Sequence, residues 1–418
     1  MNERILLIED SVMITKVLRH LIKTELGLPC DSAGTLQETR EFLEKDPDGY
    51  FVTVVDLHLP DAPNGEVLDY VLSKKLPCIV LTATYDEGKR ETILQKPIVD
   101  YVVKESRYSY EYVTRLIRRL LRNRNIKVVV ADDSDTSRQY VRQLLVTHLY
   151  QVQLAKHGRE ALEMIKADPE IKMLISDYNM PEMDGFELTR ALRREYDKKD
   201  LVIIGLSGYG SATLSAKFIK NGANDFLMKP FFHEEFHCRI MHNIEAMENI
   251  QALNDAANRD YLTGMYNRRY LFSAAKELYR VAKENGEPLT AAMIDVDHFK
   301  RINDTYGHEA GDRAICAFAK MIGETFGDYL AARFGGEEFC VLFPGVSIEK
   351  ISPMLESFRH KVEQTAIPFL SDHLRLTVSI GATDVLGDSL DNLIRRADVL
   401  LYESKDNGRN RLTTDEDI

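Results

Sequence analysis

The sequence predicts an α/β protein of several domains: two doubly wound domains with parallel sheets, followed by an α+β domain with a mostly antiparallel sheet. Three observations predict this architecture. A pattern of short apolar runs ending in polar residues occurs twice before residue 232. Within each copy the runs alternate with amphipathic stretches, which is typical of βαβ units with helices on both faces of a parallel sheet. After residue 258, apolar runs and helical patterns surround RFGGEEF, a sequence typical of a β-hairpin.

Length and composition set the limits for function. The 418 residues correspond to two to four domains at about 100–200 residues each. A net charge of −12 disfavours a nucleic-acid partner. Five cysteines without a CxxC pair fit a reducing compartment. The start shows no signal peptide, and no run approaches the roughly 18 apolar residues of a membrane span. We therefore expect a soluble, cytoplasmic protein with no membrane partner.

The internal repeat places matching polar residues at the ends of matching apolar runs. The matched residues are Glu9 and Asp10 with Asp132 and Asp133, Asp56 with Asp177, Thr82 with Ser207, and Lys104 with Lys229. The two copies are offset by 121 to 125 residues, and the hydroxyl residue precedes the lysine by 22 residues in both. The chain thus carries a tandem domain.

These polar residues should converge, because functional groups collect at the carboxyl ends of the strands in a doubly wound sheet. Three crowded carboxylates repel one another unless a hard divalent cation binds, and oxygen ligands suit Mg²⁺. A lysine and a hydroxyl would help to hold a phosphoryl group on one aspartate. An isolated aspartate after a strand is usually a turn residue. Four matched features in the same order, twice, favour a phosphoryl site instead.

On these motifs both copies resemble response-regulator receiver domains, whose fold is flavodoxin-like with a parallel five-stranded sheet. The resemblance implies one Mg²⁺ per domain and a cognate histidine kinase or phosphotransfer protein as partner. The implied phosphoacceptors are Asp56 and Asp177. The implied metal ligands are Glu9, Asp10, Asp56 and the His58 carbonyl in the first copy, and Asp132, Asp133, Asp177 and the Asn179 carbonyl in the second. The implied phosphate-sensing residues are Thr82, Tyr101, Lys104, Ser207, Phe226 and Lys229.

Residues 232–258 form a joint rich in helix formers. Apolar residues recur there at steps of three or four, from Phe236 to Leu253, and predict one stripe on a helix. Two interpretations remain open. The segment is either the last helix of the second doubly wound domain, or its far end forms a short dimeric coiled coil.

The last domain contains two acidic elements. A buried strand ends in Asp295 and Asp297, and a hairpin turn holds two glycines followed by Glu337 and Glu338. If the two elements are neighbours, their carboxylates face each other, and the glycines allow positive φ and close approach of a ligand. Such a site suits two metal ions and a nucleoside triphosphate. GGEE alone is more simply a solvated turn. The motifs DVDHFKRIND, GHEAGD, LTGMYNRR and SKDNGRN beside it favour the site.

Residues 258–412 resemble the GGDEF domain of diguanylate cyclases, here as GGEEF. The resemblance implies that two GTP condense to cyclic di-GMP and two pyrophosphates in a homodimer, with two Mg²⁺ per domain. The implied catalytic residues are Glu337 and Glu338, and the implied metal ligands are Asp295, the Val296 carbonyl and Glu337. The implied GTP-binding residues are Asn303, Asp312, His298, Phe299, Lys300, Lys405 and Arg409.

The whole chain resembles response-regulator diguanylate cyclases of the PleD type. Its expected domains are receiver 1 at 1–122, receiver 2 at 125–245, a helical linker at 232–258 and the GGDEF domain at 258–418. The inhibitory RxxD motif of many relatives is replaced by Phe326 and Tyr329, so weak product inhibition is expected. The alternative is a catalytically inactive GTP or cyclic di-GMP receptor, or a phosphorelay adaptor.

Overall fold

The structure is a computed structural model that describes residues 3–83, 87–208, 212–370 and 372–417. The chain divides into two compact units, residues 1–250 and residues 251–418. None of the described helices combines the length and the apolar character that crossing a bilayer requires.

The first part of unit 1 is a five-stranded parallel sheet with the strand order β2-β1-β3-β4-β5. Its strands are β1 Arg4–Ile8, β2 Cys30–Ala33, β3 Tyr50–Val55, β4 Cys78–Thr82 and β5 Asp100–Val103. Its helices are α1 Val12–Leu26, α2 Leu36–Lys45, α3 Glu66–Ser73, α4 Glu87–Leu94 and α5 Arg107–Asn123. Two apolar clusters, one on each face of the sheet, form the core.

The second part of unit 1 repeats this topology in the order β7-β6-β8-β9-β10, again with parallel pairings only among the described strands. Its strands are β6 Lys127–Ala131, β7 Gln151–Ala155, β8 Ile171–Asp177, β9 Val202–Ser207 and β10 Asp225–Met228. Its helices are α6 Asp135–Thr147, α7 Gly158–Ala167, α8 Gly185–Leu192, α9 Ala212–Lys220 and α10 His233–Asn258. The prediction of two doubly wound sheets is confirmed.

Both sheets turn from their first strand into their first helix through an acidic pair and a serine. Ser11 caps α1 by accepting a hydrogen bond from Ile14 N, and Ser134 caps α6 by accepting one from Ser137 N. The serine satisfies an N–H group that the first helical turn would otherwise leave unpaired. The acids just before it are thereby held at the carboxyl edge of the sheet.

Helix α10 starts as the last helix of the second sheet. Phe236, Ile240 and Ile244 are buried in the core of that sheet, whereas Ile250 and Leu253 are exposed. The docked interpretation therefore holds for the first half of the helix. The coiled coil stays a prediction for the far end.

Arginines of α5 pair with glutamates of α10 within unit 1. Arg119 is buried and forms a two-pronged ion pair with Glu248, with N–O distances of 2.8 and 2.9 Å. Arg115 pairs with Glu245 at 2.5 Å. Two planar guanidinium–carboxylate contacts specify the orientation of α5 on α10 more strictly than apolar packing alone.

Unit 2 is built on a mixed six-stranded sheet with the order β11-β13-β14-β12-β17-β18. Its strands are β11 Tyr266–Asn267, β12 Leu289–Val296, β13 Leu330–Gly335, β14 Glu338–Pro344, β17 Val378–Thr383 and β18 Leu412–Thr413, and β15 Ala366–Phe369 pairs separately with β16 Asp372–Arg375. Its helices are α11 Arg268–Asn285, α12 Phe299–Tyr306, α13 His308–Phe326, α14 Ile348–Gln364 and α15 Leu390–Asp406. Among the described strands, the three inner pairings are antiparallel and the two outer ones parallel, which confirms the α+β prediction.

Gly381 in β17 explains how closely α15 packs on this sheet. A Cβ atom at this position would lie 2.0 Å from Leu401 N and 2.3 Å from Ala397 O. Because both atoms belong to the backbone, a side chain here would push the helix away from the strand. The middle of α15, the helix that carries Lys405, is thereby held close against the sheet.

Candidate functional site

The first acidic cluster lies at the carboxyl edge of the first sheet. Ligand oxygens of Glu9, Asp10 and Asp56 lie within 4.8 Å of one another. The Lys104 ammonium is 2.6 Å from both Glu9 Oε2 and Asp56 Oδ2. Burial raises the pKa of Glu9, and Lys104 opposes that shift. Burial lowers the pKa of Lys104, but its two carboxylate partners outweigh this effect and the pKa is raised.

The remaining predicted residues surround this cluster. Thr82 is buried at the end of β4, and its carbonyl accepts a hydrogen bond from Lys104 N at 2.8 Å. Tyr101 is largely buried on β5. His58 N donates to Asp56 Oδ1 at 3.2 Å. This hydrogen bond holds the turn that follows Asp56, and the His58 carbonyl, the predicted metal ligand, belongs to that turn. The structure therefore brings together Glu9, Asp10, Asp56 and Lys104, with the Thr82 backbone beside Lys104.

The second sheet repeats the lysine contacts of the first, but among the described residues the close grouping of three carboxylates occurs only for Glu9, Asp10 and Asp56. Lys229 Nζ lies 2.6 Å from Asp132 Oδ2 and 2.6 Å from Asp177 Oδ1. Burial raises the pKa of Asp177, and Lys229 opposes that shift. Asn179 N donates to Asp177 Oδ2 at 2.8 Å, as His58 N does in the first sheet. Ser207 is buried at the end of β9, and its carbonyl accepts a hydrogen bond from Lys229 N at 2.8 Å.

Two further predicted residues of the second sheet differ in exposure. Asp133 is exposed at the rim of the cluster. Phe226 is buried on β10 and packs against Phe218, with 5.5 Å between the ring centroids. Phe226 therefore occupies the strand position that Tyr101 holds on β5.

In unit 2, Asp295 is buried near the end of β12, and β14 places Glu338 directly opposite it. Lys405 on α15 lies 2.8 Å from Asp295 Oδ2. Burial raises the pKa of Asp295 to about 6; Glu337 and Glu338 raise it further, whereas Lys405 lowers it. Like charges directly opposite each other destabilise a sheet. The cluster therefore has the oxygen donors and the excess negative charge that suit a hard divalent cation.

The hairpin turn that carries Glu337 is held by Arg333. Its guanidinium donates to the Gly336 carbonyl at 2.9 and 2.7 Å and to Asp260 Oδ1 at 2.8 Å. Gly336 has φ of 51°, a left-handed conformation that favours glycine. Val296 N donates to the Glu337 carbonyl at 3.3 Å, which ties the turn to the end of β12. Sequence reasoning did not assign Arg333 and Asp260 a role, although Arg333 begins the quoted RFGGEEF and Asp260 lies two residues before LTGMYNRR.

Two of the implied GTP-binding residues, Asn303 and Asp312, lie on the neighbouring helices α12 and α13. A Cβ atom on Gly311 would lie only 1.9 Å from Asn303 Oδ1, so the glycine lets the Asn303 carboxamide lie against α13. Asp312 follows this glycine and is exposed. Asn303 therefore lies against the turn of α13 that carries Asp312.

The predicted phosphate-binding groups lie at two turns. His298 has φ of 54° and leads into α12, so the first-turn N–H groups at Phe299 and Lys300 lack intrahelical partners. Such a helix start attracts anions. Arg409 is exposed in the turn after α15, with φ of 64°. Lys405 is also a predicted phosphate ligand, and in the structure its ammonium group contacts the Asp295 carboxylate.

Family models match two parts of the chain. The model "Diguanylate cyclase, GGDEF domain" matches residues 257–411, and the model "Response regulator receiver domain" matches residues 128–241. The response regulator PleD of Caulobacter vibrioides is 30% identical over 307 residues, which are 68% of this chain and 64% of PleD. The chain thus spans just under two thirds of the length of that relative.

For two further relatives the match includes a larger share of the relative's own length. The diguanylate cyclase VdcA of Vibrio cholerae is 30% identical over 275 residues, which are 63% of this chain and 79% of VdcA. A crystal structure of a two-component system response regulator/GGDEF domain protein is 44% identical to this chain, with a TM-score of 0.54. The match includes 59% of this chain and 99% of the chain in that crystal structure. The chain belongs to the response-regulator-linked family of diguanylate cyclases.

Proposed function

We propose that this chain is a phosphorylation-regulated diguanylate cyclase, which condenses two GTP into cyclic di-GMP and two pyrophosphates as a homodimer. One observation carries the proposal. The buried Asp295 faces Glu338 across the β12–β14 pairing, next to a turn that holds Glu337. A purely structural turn would not need this concentration of like charge, because opposed carboxylates weaken a sheet.

Asp295, the Val296 carbonyl and Glu337 would hold Mg²⁺, two ions per domain when GTP is bound. When bound, the metal supplies positive charge for the triphosphate and for the 3′-hydroxyl. Asn303 and Asp312 would bind the guanine edge, since a carboxylate accepts hydrogen bonds from its N1–H and N2–H₂ groups. The phosphates would be bound by the amides of His298 and Phe299 and by Lys300, Lys405 and Arg409.

The reaction would be a nucleotidyl transfer between two facing domains. The 3′-oxygen of one GTP attacks the α-phosphorus of the other, and the bond from that phosphorus to the bridging oxygen of pyrophosphate breaks. Glu337 would accept the proton of the 3′-hydroxyl, and Glu338 would hold the site in shape. A second, identical step closes the ring. Each domain supplies one GTP, so the homodimer is required.

The first sheet would be a second receiver domain. Its strand order matches that of the second sheet, and Lys104 contacts Glu9 and Asp56 as Lys229 contacts Asp132 and Asp177. Asp56 and Asp177 would accept phosphoryl groups from a histidine kinase or phosphotransfer protein, with one Mg²⁺ per receiver. The added charge would reorder the face near Tyr101 or Phe226 and favour the dimer.

The proposal is tested by incubating the full chain with GTP and Mg²⁺, with and without beryllofluoride, and measuring cyclic di-GMP by chromatography. We expect product that increases with beryllofluoride, and we expect Glu337→Gln to abolish it. Asp56→Asn and Asp177→Asn would divide the activation between the two sheets. GTP binding without product in either condition would refute the cyclase and support a receptor or an adaptor.

A further inference from the structure

Asp297 lies two residues after Asp295, yet its carboxylate is engaged differently. It is 5% exposed, and three donors occupy its oxygens. Ser379 Oγ donates to Oδ1 at 2.6 Å, and Thr377 Oγ1 donates to Oδ2 at 2.8 Å. The third donor is Asn410 N, at 3.0 Å from Oδ2. The third contact reaches out of the sheet to the turn between α15 and β18.

That turn has an uncommon backbone. Gly408, Arg409 and Asn410 have φ angles of 106°, 64° and 44°, so three consecutive residues have positive φ. Non-glycine residues keep this conformation only where their surroundings hold them in it. The Asn410 side chain is also held, because its Oδ1 accepts from Arg359 Nη1 and its Nδ2 donates to Glu363 Oε1, both at 2.9 Å.

This anchored turn presents Arg409, whose own backbone N–H donates to the Ser404 carbonyl at 3.0 Å. The Arg409 side chain is exposed, but hydrogen bonds hold the backbone at Arg409 and at the next residue. These bonds are Arg409 N to the Ser404 carbonyl and Asn410 N to Asp297 Oδ2. A charged acceptor makes a stronger bond to an N–H group than a neutral one does.

We infer that Asp297 is a positioning residue that holds Arg409 against the triphosphate of GTP, acting through the backbone of Asn410. The inference rests on the proposed function, because it takes GTP as the ligand of this turn. Loss of the carboxylate frees the turn to leave its left-handed conformation. The Arg409 guanidinium then loses its fixed position. Binding of the phosphate must order the turn and this side chain, and the entropy lost in doing so weakens the affinity.

The competing explanation is that Asp297 only joins the ends of β12 and β17 through Thr377 and Ser379. The two explanations differ in their coupling to Arg409. A residue that acts through Arg409 has no further effect once Arg409 is removed, whereas a residue that only stabilises the sheet acts independently.

The test is a double-mutant cycle on the full chain with Mg²⁺ and α,β-methylene GTP, which cannot be condensed, with affinity measured by calorimetry. We expect Asp297→Asn and Arg409→Ala each to weaken binding about 10-fold, and the double variant to bind no more weakly than Arg409→Ala. The control Ser379→Ala removes a sheet-side bond to Asp297, and it should lower the melting temperature but keep affinity within about twofold. If Asp297→Asn does not fold, Asp297→Glu replaces it, since it keeps the charge but displaces the carboxylate.

Losses that multiply in the double variant, or wild-type affinity in Asp297→Asn, would overturn the inference. Cyclic di-GMP formation by the wild type is measured separately. A wild type that binds the analogue but forms no product from GTP would refute the proposed function and leave the cycle valid. A wild type that does not bind the analogue would overturn both.

Discussion

Replacing Asp295 with asparagine is expected to stabilise unit 2 in the absence of metal while it removes a ligand of the proposed catalytic centre. The Asp295 side chain is only 7% exposed and lies opposite Glu338. Its ionised form is therefore disfavoured in the folded chain relative to the unfolded chain. Asparagine keeps the shape of the side chain and removes the charge, so the folded state no longer has to bury that charge.

The magnitude follows from the pKa of Asp295, which is raised from an ordinary 3.8 to about 6. Between these two values the folded chain binds a proton that the unfolded chain does not, so stability falls as pH rises from about 4 to about 6. At about 1.4 kcal/mol per pH unit, the ionised Asp295 costs about 3 kcal/mol at pH 7.5. For a unit of this size that corresponds to roughly 6 °C or more in melting temperature.

The assay is scanning calorimetry of the full chain in EDTA at pH 7.5 and pH 5.0, following the transition of unit 2. Asp295→Asn should melt higher than wild type at pH 7.5, by an amount that falls by about half at pH 5.0. Asp297→Asn is the matched control, and it should melt lower than wild type because its oxygens accept three hydrogen bonds. An Asp295→Asn variant that melts at or below wild type at pH 7.5 would refute the reasoning.

Three further predictions concern single contacts. Gly311→Ala should displace the Asn303 carboxamide and raise the KM for GTP about 10-fold with little change in melting temperature, and an unchanged KM in initial-rate assays would contradict this. Arg119→Ala leaves Glu248 half-buried without its two-pronged partner, so we expect a loss of about 2 kcal/mol and faster hydrogen exchange in α10; unchanged exchange would count against it. Gly381→Ala should cost about 3 kcal/mol or more because the new Cβ meets the backbone of α15, whereas a melting temperature equal to wild type would show that the helix can shift.

The sequence predicted the strand-end residues well, because their spacing is set by topology. Thr82 and Lys104 are 22 residues apart since one helix and its turns connect two neighbouring parallel strands, where Thr82 pairs with Val103. The same connection separates Ser207 from Lys229. Regular alternation of strand and helix fixes such distances along the chain. The fold class, and the approach of each strand-end lysine to the acids of its own sheet, could therefore be predicted from the sequence.

Only the family resemblance distinguished Asp295 from Asp297; residue type and hydrophobic pattern could not, because both are aspartates at the end of the same apolar strand. Their difference arises from groups distant in the chain, Lys405 for one and Asn410 for the other. The pairing of Arg119 with Glu248 likewise joins residues 129 positions apart. Such contacts have no period along the sequence, so hydrophobic patterning does not reveal them.

Lys104, Lys229 and Lys405 all contact the acids of their own cluster, on two different folds. Each lysine is a counter-ion covalently attached to the chain, so each cluster is partly neutralised as soon as the chain has folded. Domains whose folding free energy comes from a bound metal remain unfolded without it. In this protein folding is therefore not expected to depend on the proposed Mg²⁺, which would bind afterwards together with the phosphate group.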